Sequence, residues 1–194
     1  MHPLLLGIDR LSFQAISECE MKNLIYLSET AERGVVESPP PLEPCRSWAR
    51  VLGSEDPLSS PLVERSGAKV VNVPSKGQTV GLCASEQLES RNPKEELTCV
   101  KATVLDLLPR FPVVAAITFA RKPRCEDLKM LDEAVGDMVS AAENFILFSA
   151  CGQPLEDLPE EPYGIYLSTA RRPRERDTVK PEEIGQIFLR MVED

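Results

Sequence analysis

One uncharged stretch near the middle of the chain limits the folds that are open to it. Residues 111–120, FPVVAAITFA, carry no charge and are rich in β-branched side chains. A strand of this composition is covered on both faces, which is typical of inner strands in parallel or mixed sheets. The chain is therefore expected to bury at least one strand inside a layered structure of helices and strands.

Apolar residues with the spacing of a helix both precede and follow this strand in the sequence. Apolar residues recur at spacings of three and four over residues 97–108, 128–145 and 184–191, as they do in helices with one buried face. Pro181 suits the first turn of the last of these helices. Three main helices are therefore predicted, and the last one, with Phe188 on its apolar face, is expected to belong to the core.

Further strand signals complete the fold prediction. Residues 145–152 and 163–170 are short apolar runs, and residues 70–73 and 79–82 are β-formers separated by the turn residues 74–77. We predict an α/β or α+β fold: a single domain of two or three layers, with a mixed sheet of about five strands and three main helices.

The proline distribution suggests the domain boundaries. Six prolines lie among serines and charges in residues 37–67, which favours a mostly extended loop or linker. Residues 68–194 are predicted to form the main domain, and residues 21–36 its first element. Met21 begins MKNLIYLS, which reads like a natural start, so residues 1–20 are interpreted as a leader or flexible segment.

One apolar group interrupts the proline-rich stretch. Trp48, Val51 and Leu52 fall on one side of a short helix. Either Trp48 anchors the loop to the core, or these three side chains form a short motif that folds into the groove of a protein partner.

The six cysteines are spread along the chain and never form a C-x-x-C pair. Zinc sites and redox dithiols use close pairs, and several of these cysteines fall in apolar segments, where a thiol behaves as a small hydrophobe. The spacing predicts six free thiols, no bound metal and a cytoplasmic location.

Composition excludes several classes of function. The only histidine is His2, which removes Ser-His-Asp, Cys-His and histidine-ligated metal sites. No cofactor motif is intact, so neither catalytic residues nor a cofactor are assigned. The net charge of −9 makes nucleic acid an unfavourable partner. No apolar run approaches the length of about 18 residues that a membrane span needs.

Two basic clusters follow predicted strands and precede predicted helices. They are Arg121, Lys122 and Arg124, and Arg171, Arg172, Arg174 and Arg176. If the two strands are parallel neighbours, both clusters lie at the carboxyl edge of the sheet, where open α/β sheets bind ligands. The alternative is that these side chains are solvated or paired with nearby acids. A partial match between IYLSETAER at residues 25–33 and IYLSTARR at residues 165–172 suggests either a second such strand or a coincidence. The first segment is equally compatible with a helix capped at Gly34.

Two functional hypotheses result. The first is a non-enzymatic intracellular protein that acts through protein contacts, as an accessory, regulatory or host-interaction factor. It is motivated by the missing catalytic motifs, the proline-rich segment and the acidic composition. The second is an enzyme or sensor that binds a phosphorylated small molecule at the arginine-rich strand edge.

Overall fold

The computed structural model describes residues 1–40, 42–85, 92–119, 123–152, 163–171 and 177–194. Its strands are β1 Leu4–Ile8, β2 Glu32–Glu37, β3 Lys69–Val71, β4 Val73–Ser75, β5 Gln78–Val80, β6 Val113–Ile117, β7 Phe145–Phe148, β8 Tyr163–Ser168 and β9 Thr178–Val179. Its helices are α1 Phe13–Glu18, α2 Lys22–Thr30, α3 Pro44–Leu52, α4 Pro61–Ser66, α5 Pro93–Leu107, α6 Cys125–Ala141 and α7 Pro181–Glu193, and a 3₁₀ turn spans Pro57–Ser59.

Seven strands form one mixed sheet in the order β3-β6-β1-β7-β8-β2-β9. β3, β6, β1 and β7 are parallel, β8 is antiparallel to both β7 and β2, and β9 is parallel to β2. β4 and β5 form a hairpin beside this sheet, but the first strand predicted for it, residues 70–73, is divided between β3 and β4, and the predicted turn residues Pro74 and Ser75 belong to β4. The mixed α/β class is confirmed, but the described residues hold more strands and helices than the sequence analysis counted.

The first strand is a buried inner strand of the sheet, which corrects the interpretation of residues 1–20 as a leader or flexible segment. β1 pairs with β6 on one side and β7 on the other, and its five residues are all buried. Leu4, Leu6 and Ile8 face one hydrophobic cluster and Leu5 faces the other, as the period of two in a strand requires. The run is apolar on both faces for the same reason that β6 is.

Helices cover both faces of the sheet. One cluster packs side chains of α1, α2, α5 and α6 against the sheet, and the other packs α3, α4 and α7 against the opposite face. Ile184, Ile187 and Phe188 of α7 are buried in the second cluster, so the predicted core position of this helix is confirmed. None of the helices in the described ranges is long and apolar enough to cross a membrane.

Most of residues 44–66 fold into α3, the 3₁₀ turn and α4, which corrects the prediction of a mostly extended loop over residues 37–67. Pro44 and Pro61 begin α3 and α4, where a missing N–H costs nothing, and Gly53 and Gly67 end these helices in the left-handed conformation. The Ser60 hydroxyl accepts a hydrogen bond from the Val63 N–H and caps α4. Pro44, Pro57 and Pro61 therefore mark the starts of helical turns in this segment.

Trp48 joins α3 to the centre of the sheet. Its side chain is 1% exposed, and its ring lies 5.0 Å from that of Phe148 in an edge-to-face arrangement at 64°. The indole also covers the backbone of Gly7 in β1, so closely that a Cβ on Gly7 would overlap it. Val51 and Leu52 are buried in the same cluster. This placement matches the anchoring interpretation and leaves none of the three side chains exposed to a partner.

Four of the six cysteines are paired, so the prediction of six free thiols is wrong. Disulfides join Cys19 to Cys125 and Cys83 to Cys99, while Cys45 and Cys151 are free. Cys19 ends α1 and Cys125 begins α6, and the fold brings their Cα atoms to 5.2 Å although 106 positions separate them in the sequence. Spacing along the chain cannot reveal such a pair.

We expect Trp48→Ala to lower the free energy of unfolding by about 3 to 5 kcal/mol, because the change removes a buried indole and leaves a cavity against Gly7. The midpoint of thermal unfolding should fall by roughly 6 to 20 °C, measured by circular dichroism. Leu58→Ala is the control, since Leu58 is 53% exposed and its loss should change stability by less than about 0.5 kcal/mol. Equal effects from both substitutions would contradict the buried position of Trp48.

Thiol titration tests the disulfides. Protein unfolded without reductant should expose two reactive thiols, those of Cys45 and Cys151, and six after reduction. Peptide mapping under non-reducing conditions should recover Cys19 linked to Cys125 and Cys83 linked to Cys99. Six reactive thiols before reduction would restore the prediction made from cysteine spacing.

Candidate functional site

A cleft of about 260 Å³ lies where β1 and β6 end, at the carboxyl edge of the parallel strands. We call it the carboxyl-edge cleft. Four parts of the chain line it: the residues after β1, the residues after β6, the start of α3 and the β4–β5 hairpin. The Asp9 N–H donates to the Ile117 carbonyl at 2.9 Å, so the two strand ends leave the sheet side by side. This is where ligands bind in open α/β sheets.

Unfavourable backbone conformations shape the wall of the cleft. Arg10, two residues after β1, has a φ of 60°, and Phe119, two residues after β6, has a φ of 41°. Residues other than glycine rarely adopt positive φ, and such conformations cluster at ligand sites, where the surrounding structure holds them in place. Both residues line the cleft. The two strands therefore turn sharply at the same place to form it.

A buried carboxylate holds the end of β6 in position. Glu96 of α5 is 1% exposed, and its Oε1 accepts hydrogen bonds from the Thr118 N–H at 2.7 Å and the Thr118 hydroxyl at 2.8 Å. The same oxygen accepts from the side-chain amide of Asn72 at 2.7 Å, and that amide also donates to the Ala116 carbonyl at 3.0 Å. Thr118 lines the cleft, so Glu96 positions one of its walls from behind.

Negatively charged, positively charged and neutral polar residues all line the cleft. Asp9 and Glu43 supply carboxylates, Arg10 supplies a guanidinium group, and Thr118 and Gln78 supply neutral hydrogen-bonding groups. Glu43 also accepts a hydrogen bond from the exposed guanidinium of Arg46 at 2.9 Å. Such a set suits a ligand that carries an anionic group together with hydroxyl or amino groups. Over the described ranges, no cluster of three His, Cys, Asp or Glu side chains is arranged to hold a metal ion.

The predicted basic clusters do not meet in the part of the chain that the structure describes. Arg124 is exposed and precedes α6, on the carboxyl side of β6. Arg171 follows β8, which runs antiparallel, and it lies at the opposite edge of the sheet, in a groove with His2 and Arg190. The strands are neither parallel nor neighbours, so the condition for convergence is not met. Arg121, Lys122, Arg172, Arg174 and Arg176 lie outside the described residues.

The repeated IYLS motif is a coincidence of sequence. Its first copy lies in helix α2, and its second copy lies in strand β8. Arg33 and Gly34, which follow the first copy, are part of β2 and pair with Leu167 and Tyr166 of β8. The two segments are therefore different structural elements, and Gly34 does not cap a helix.

Sequence reasoning missed Asp9, Arg10, Glu43 and Glu96. Nothing in the sequence marks Arg10 as a residue with positive φ, and Glu96 resembles any acid in the first turn of a helix. One signal was present: an aspartate and an arginine directly after the apolar run LLLGI resemble the polar residues that follow the ends of buried strands. The pattern indicates a site only when residues 4–8 are recognised as a buried strand.

Comparison with solved structures shows a likeness of fold. The structure of the PH0037 protein from Pyrococcus horikoshii superposes with a TM-score of 0.64 at 11% sequence identity, covering 99% of this chain and 96% of that chain. The phosphonoacetate hydrolase of Sinorhizobium meliloti 1021, solved in complex with phosphonoformate, has a TM-score of 0.49 at 13% identity, over 78% of this chain and 56% of that chain. No protein-family model matches the chain, and no curated protein matches its sequence. The first likeness supports the fold alone, and the second is too partial to support an argument.

Glu96→Ala should lower the free energy of unfolding by roughly 2 to 3 kcal/mol, because the Thr118 and Asn72 donors lose a buried acceptor. Glu96→Gln should cost less, since its amide oxygen can still accept. The matched control is Glu95→Ala in the same helical turn, where the side chain is exposed and only an interaction with the helix dipole of up to about 1 kcal/mol is lost. Urea unfolding of the three variants measures the differences, and equal losses for Glu95→Ala and Glu96→Ala would refute the positioning role.

Proposed function

We propose that this protein binds a small phosphorylated molecule in the carboxyl-edge cleft and acts as a sensor or binding protein for it. The observation that carries the proposal is the pair of residues with positive φ, Arg10 and Phe119, which turn two neighbouring parallel strands into the walls of one cleft. The proposal keeps the hypothesis of a phosphorylated ligand from the sequence analysis. It replaces the two arginine clusters with Arg10 as the residue that binds the phosphate.

Arg10 and the start of α3 favour an anionic group in this cleft, because the Glu43 carboxylate is already paired with Arg46 and only Asp9 opposes the charge of Arg10. A guanidinium group forms paired, charge-assisted hydrogen bonds with phosphate. The first turn of α3, a helix of nine residues, supplies Pro44 and Cys45 to the cleft, and the positive end of a helix dipole favours anions. Together these features give the phosphate group of the ligand a preferred position beside Arg10.

The carboxylates favour a ligand that also carries hydroxyl groups. Asp9 and Glu43 can accept hydrogen bonds from sugar hydroxyls, as acidic residues do from the ribose of bound nucleotides in related layouts. The volume of about 260 Å³ lies below the range of about 300 to 1,000 Å³ that is typical of drug-sized ligands. A compact sugar phosphate therefore fits the proposal better than a dinucleotide does.

The proposal is tested by isothermal titration calorimetry of the full chain against inorganic phosphate, triose and pentose phosphates, and mononucleotides. We expect one of the phosphate esters to bind and Arg10→Ala to weaken its binding at least about tenfold, since a hydrogen bond to a charged group is worth roughly 1.5 to 3 kcal/mol. Arg10→Gly should have the same effect on binding while it relieves the backbone strain, which separates loss of the guanidinium from loss of the fold.

Arg171→Ala is the control, because Arg171 is exposed at the opposite edge of the sheet. Binding that survives Arg10→Ala and disappears with Arg171→Ala would place the ligand at the amino edge. An absence of binding to every phosphorylated compound would refute the proposal.

The first hypothesis, a protein that acts through protein contacts, stays a prediction. The surface that the sequence suggested for a partner consists of Trp48, Val51 and Leu52, and all three side chains are buried. A cytoplasmic location and a regulatory role also stay predictions from composition. Six free thiols no longer support the cytoplasmic location, because four of the cysteines are paired in disulfides.

A further inference from the structure

The Cys83–Cys99 disulfide joins two parts of the chain that build the carboxyl-edge cleft. Cys83 lies three residues after β5, and the β4–β5 hairpin lines the cleft. Cys99 lies in α5, about one turn after Glu96, whose buried carboxylate holds Thr118 of another wall in place. The disulfide therefore links the hairpin to the helix that positions Thr118.

Hydrogen bonds connect the Cys83 side of this disulfide to the same wall. The carbonyl of Leu82, the residue before Cys83, accepts a hydrogen bond from the Asn72 N–H at 2.9 Å. The Asn72 side-chain amide donates to Glu96 Oε1 at 2.7 Å, and that oxygen also accepts from Thr118. These hydrogen bonds, α5 and the disulfide together form a closed ring, to which Thr118 is bonded.

The hairpin side of the cleft depends on the same segment. The Thr79 N–H donates to the Ser85 carbonyl at 3.1 Å, and the Thr79 hydroxyl accepts from the Ser85 N–H at 2.7 Å. Ser85 lies two residues beyond Cys83, and Thr79 directly follows Gln78, which lines the cleft. The bond from Cys83 to α5 therefore also supports the part of the hairpin that adjoins the cleft.

The two disulfides differ in their access to solvent. Cys83 and Cys99 are both partly exposed, whereas Cys19 of the other disulfide is 2% exposed. Cys83 also has a φ of 59°, a conformation that residues other than glycine rarely adopt and that the surrounding structure has to hold in place. Exposed disulfides are the ones that are readily reduced and regulatory. Cys83–Cys99 is therefore the disulfide that a thiol in solution reaches first.

We propose that Cys83–Cys99 is a redox-sensitive switch that sets the order of the carboxyl-edge cleft and, through it, the affinity for the ligand. With the disulfide formed, the hairpin and Thr118 are held in place before the ligand binds. Reduction releases Cys83 from α5, so the ligand has to order the walls itself, at a cost in affinity. This inference rests on the proposed function for the ligand and adds the regulation of its site.

A small thiol such as glutathione supplies the electrons. Its thiolate attacks one sulfur of the disulfide, which forms a mixed disulfide and releases the other cysteine as a thiol. A second glutathione attacks the glutathione sulfur of the mixed disulfide, releases the remaining cysteine as a thiol and leaves as oxidised glutathione. The pair of glutathione molecules thus gives two electrons and two protons to the two protein sulfurs, and the reverse steps restore the disulfide.

Equilibration of the full chain with mixtures of reduced and oxidised glutathione tests the order of reduction. After alkylation with iodoacetamide, peptide mapping should find Cys83 and Cys99 labelled at a lower proportion of reduced glutathione than Cys19 and Cys125 require. Labelling of Cys19 and Cys125 first, or of both pairs together, overturns the proposal.

Amide hydrogen exchange measured by NMR tests the link to the cleft without any ligand. Selective reduction, or the double substitution Cys83→Ser with Cys99→Ser, should speed the exchange of the Asn72 and Thr118 amides. The Leu167 amide is the control, because β8 is separated from β3 in the sheet by β6, β1 and β7. Unchanged exchange at Thr118 overturns the switch, as does an equal acceleration at Leu167, which would indicate a general loss of stability.

Calorimetric titration with ribose 5-phosphate measures the effect on the ligand. The Kd should rise at least about fivefold in the double-serine variant, the lower end of typical coupling between sites. Selective reduction should weaken binding to the wild-type protein by the same factor and leave the variant unchanged. Cys19→Ser with Cys125→Ser is the matched control, and its binding should still weaken when glutathione reduces Cys83–Cys99.

The two proposals fail separately in these measurements. A Kd for ribose 5-phosphate that is equal in the disulfide-bonded and reduced protein overturns the switch and leaves the proposed function standing. If no phosphate ester binds in either state, the proposed function is refuted, while faster exchange at Thr118 on selective reduction still supports control of the cleft wall by Cys83–Cys99.

Discussion

The contact between Trp48 and the bare backbone of Gly7 is the interaction on which the rest of the structure depends. Because Gly7 has no side chain, the indole lies directly on β1 and packs edge-to-face against Phe148. This contact fixes α3 over the sheet, and the start of α3 forms one wall of the carboxyl-edge cleft. Gly7 also lies just before Asp9 and Arg10 in the chain. Core packing and the cleft geometry are therefore set within a few residues of each other, and a larger residue at position 7 would disturb both.

The direction of β8 decides which residues can share a site. Because β8 alone runs against its neighbours, its first residue lies at the carboxyl edge of the sheet and its last residue at the amino edge. Tyr163 consequently lies at the same edge as the end of β2, where it lines a cleft with residues 37–40 and 180–182, while Arg171 lies at the opposite edge of the sheet. A single reversed strand thus places Arg171 at the opposite edge of the sheet from Arg124, the other described residue of the two basic clusters.

Periodicity predicted the regular elements of the second half of the chain, because α5, α6, α7 and β6 each bury a long and unbroken apolar face. It missed β1, whose five residues form too short a run to distinguish a central strand from a loose end. It also missed α3 and α4, since the prolines that begin these helices resemble the composition of a linker.

The candidate site was harder to predict than the fold. The sequence analysis expected a site at the carboxyl edge of the sheet, where the carboxyl-edge cleft lies, but it named none of the residues that line this cleft. The φ of Arg10, the burial of Glu96 and the pairing of Cys19 with Cys125 all depend on contacts between segments far apart in the sequence. No local pattern encodes such contacts, so only the folded chain reveals them.

The Cys19–Cys125 disulfide also bears on how quickly the chain can fold. β1 and β6 pair across about a hundred residues of sequence, and closing so long a loop is the slow, entropically costly part of forming a sheet. The disulfide lies just beyond the same two strands, so an oxidised unfolded chain already holds their ends together. For a loop of this length the restriction of the unfolded chain is worth about 4.7 kcal/mol in the chain-entropy model. Oxidised protein should therefore refold faster than reduced protein, with the central strand pair formed early.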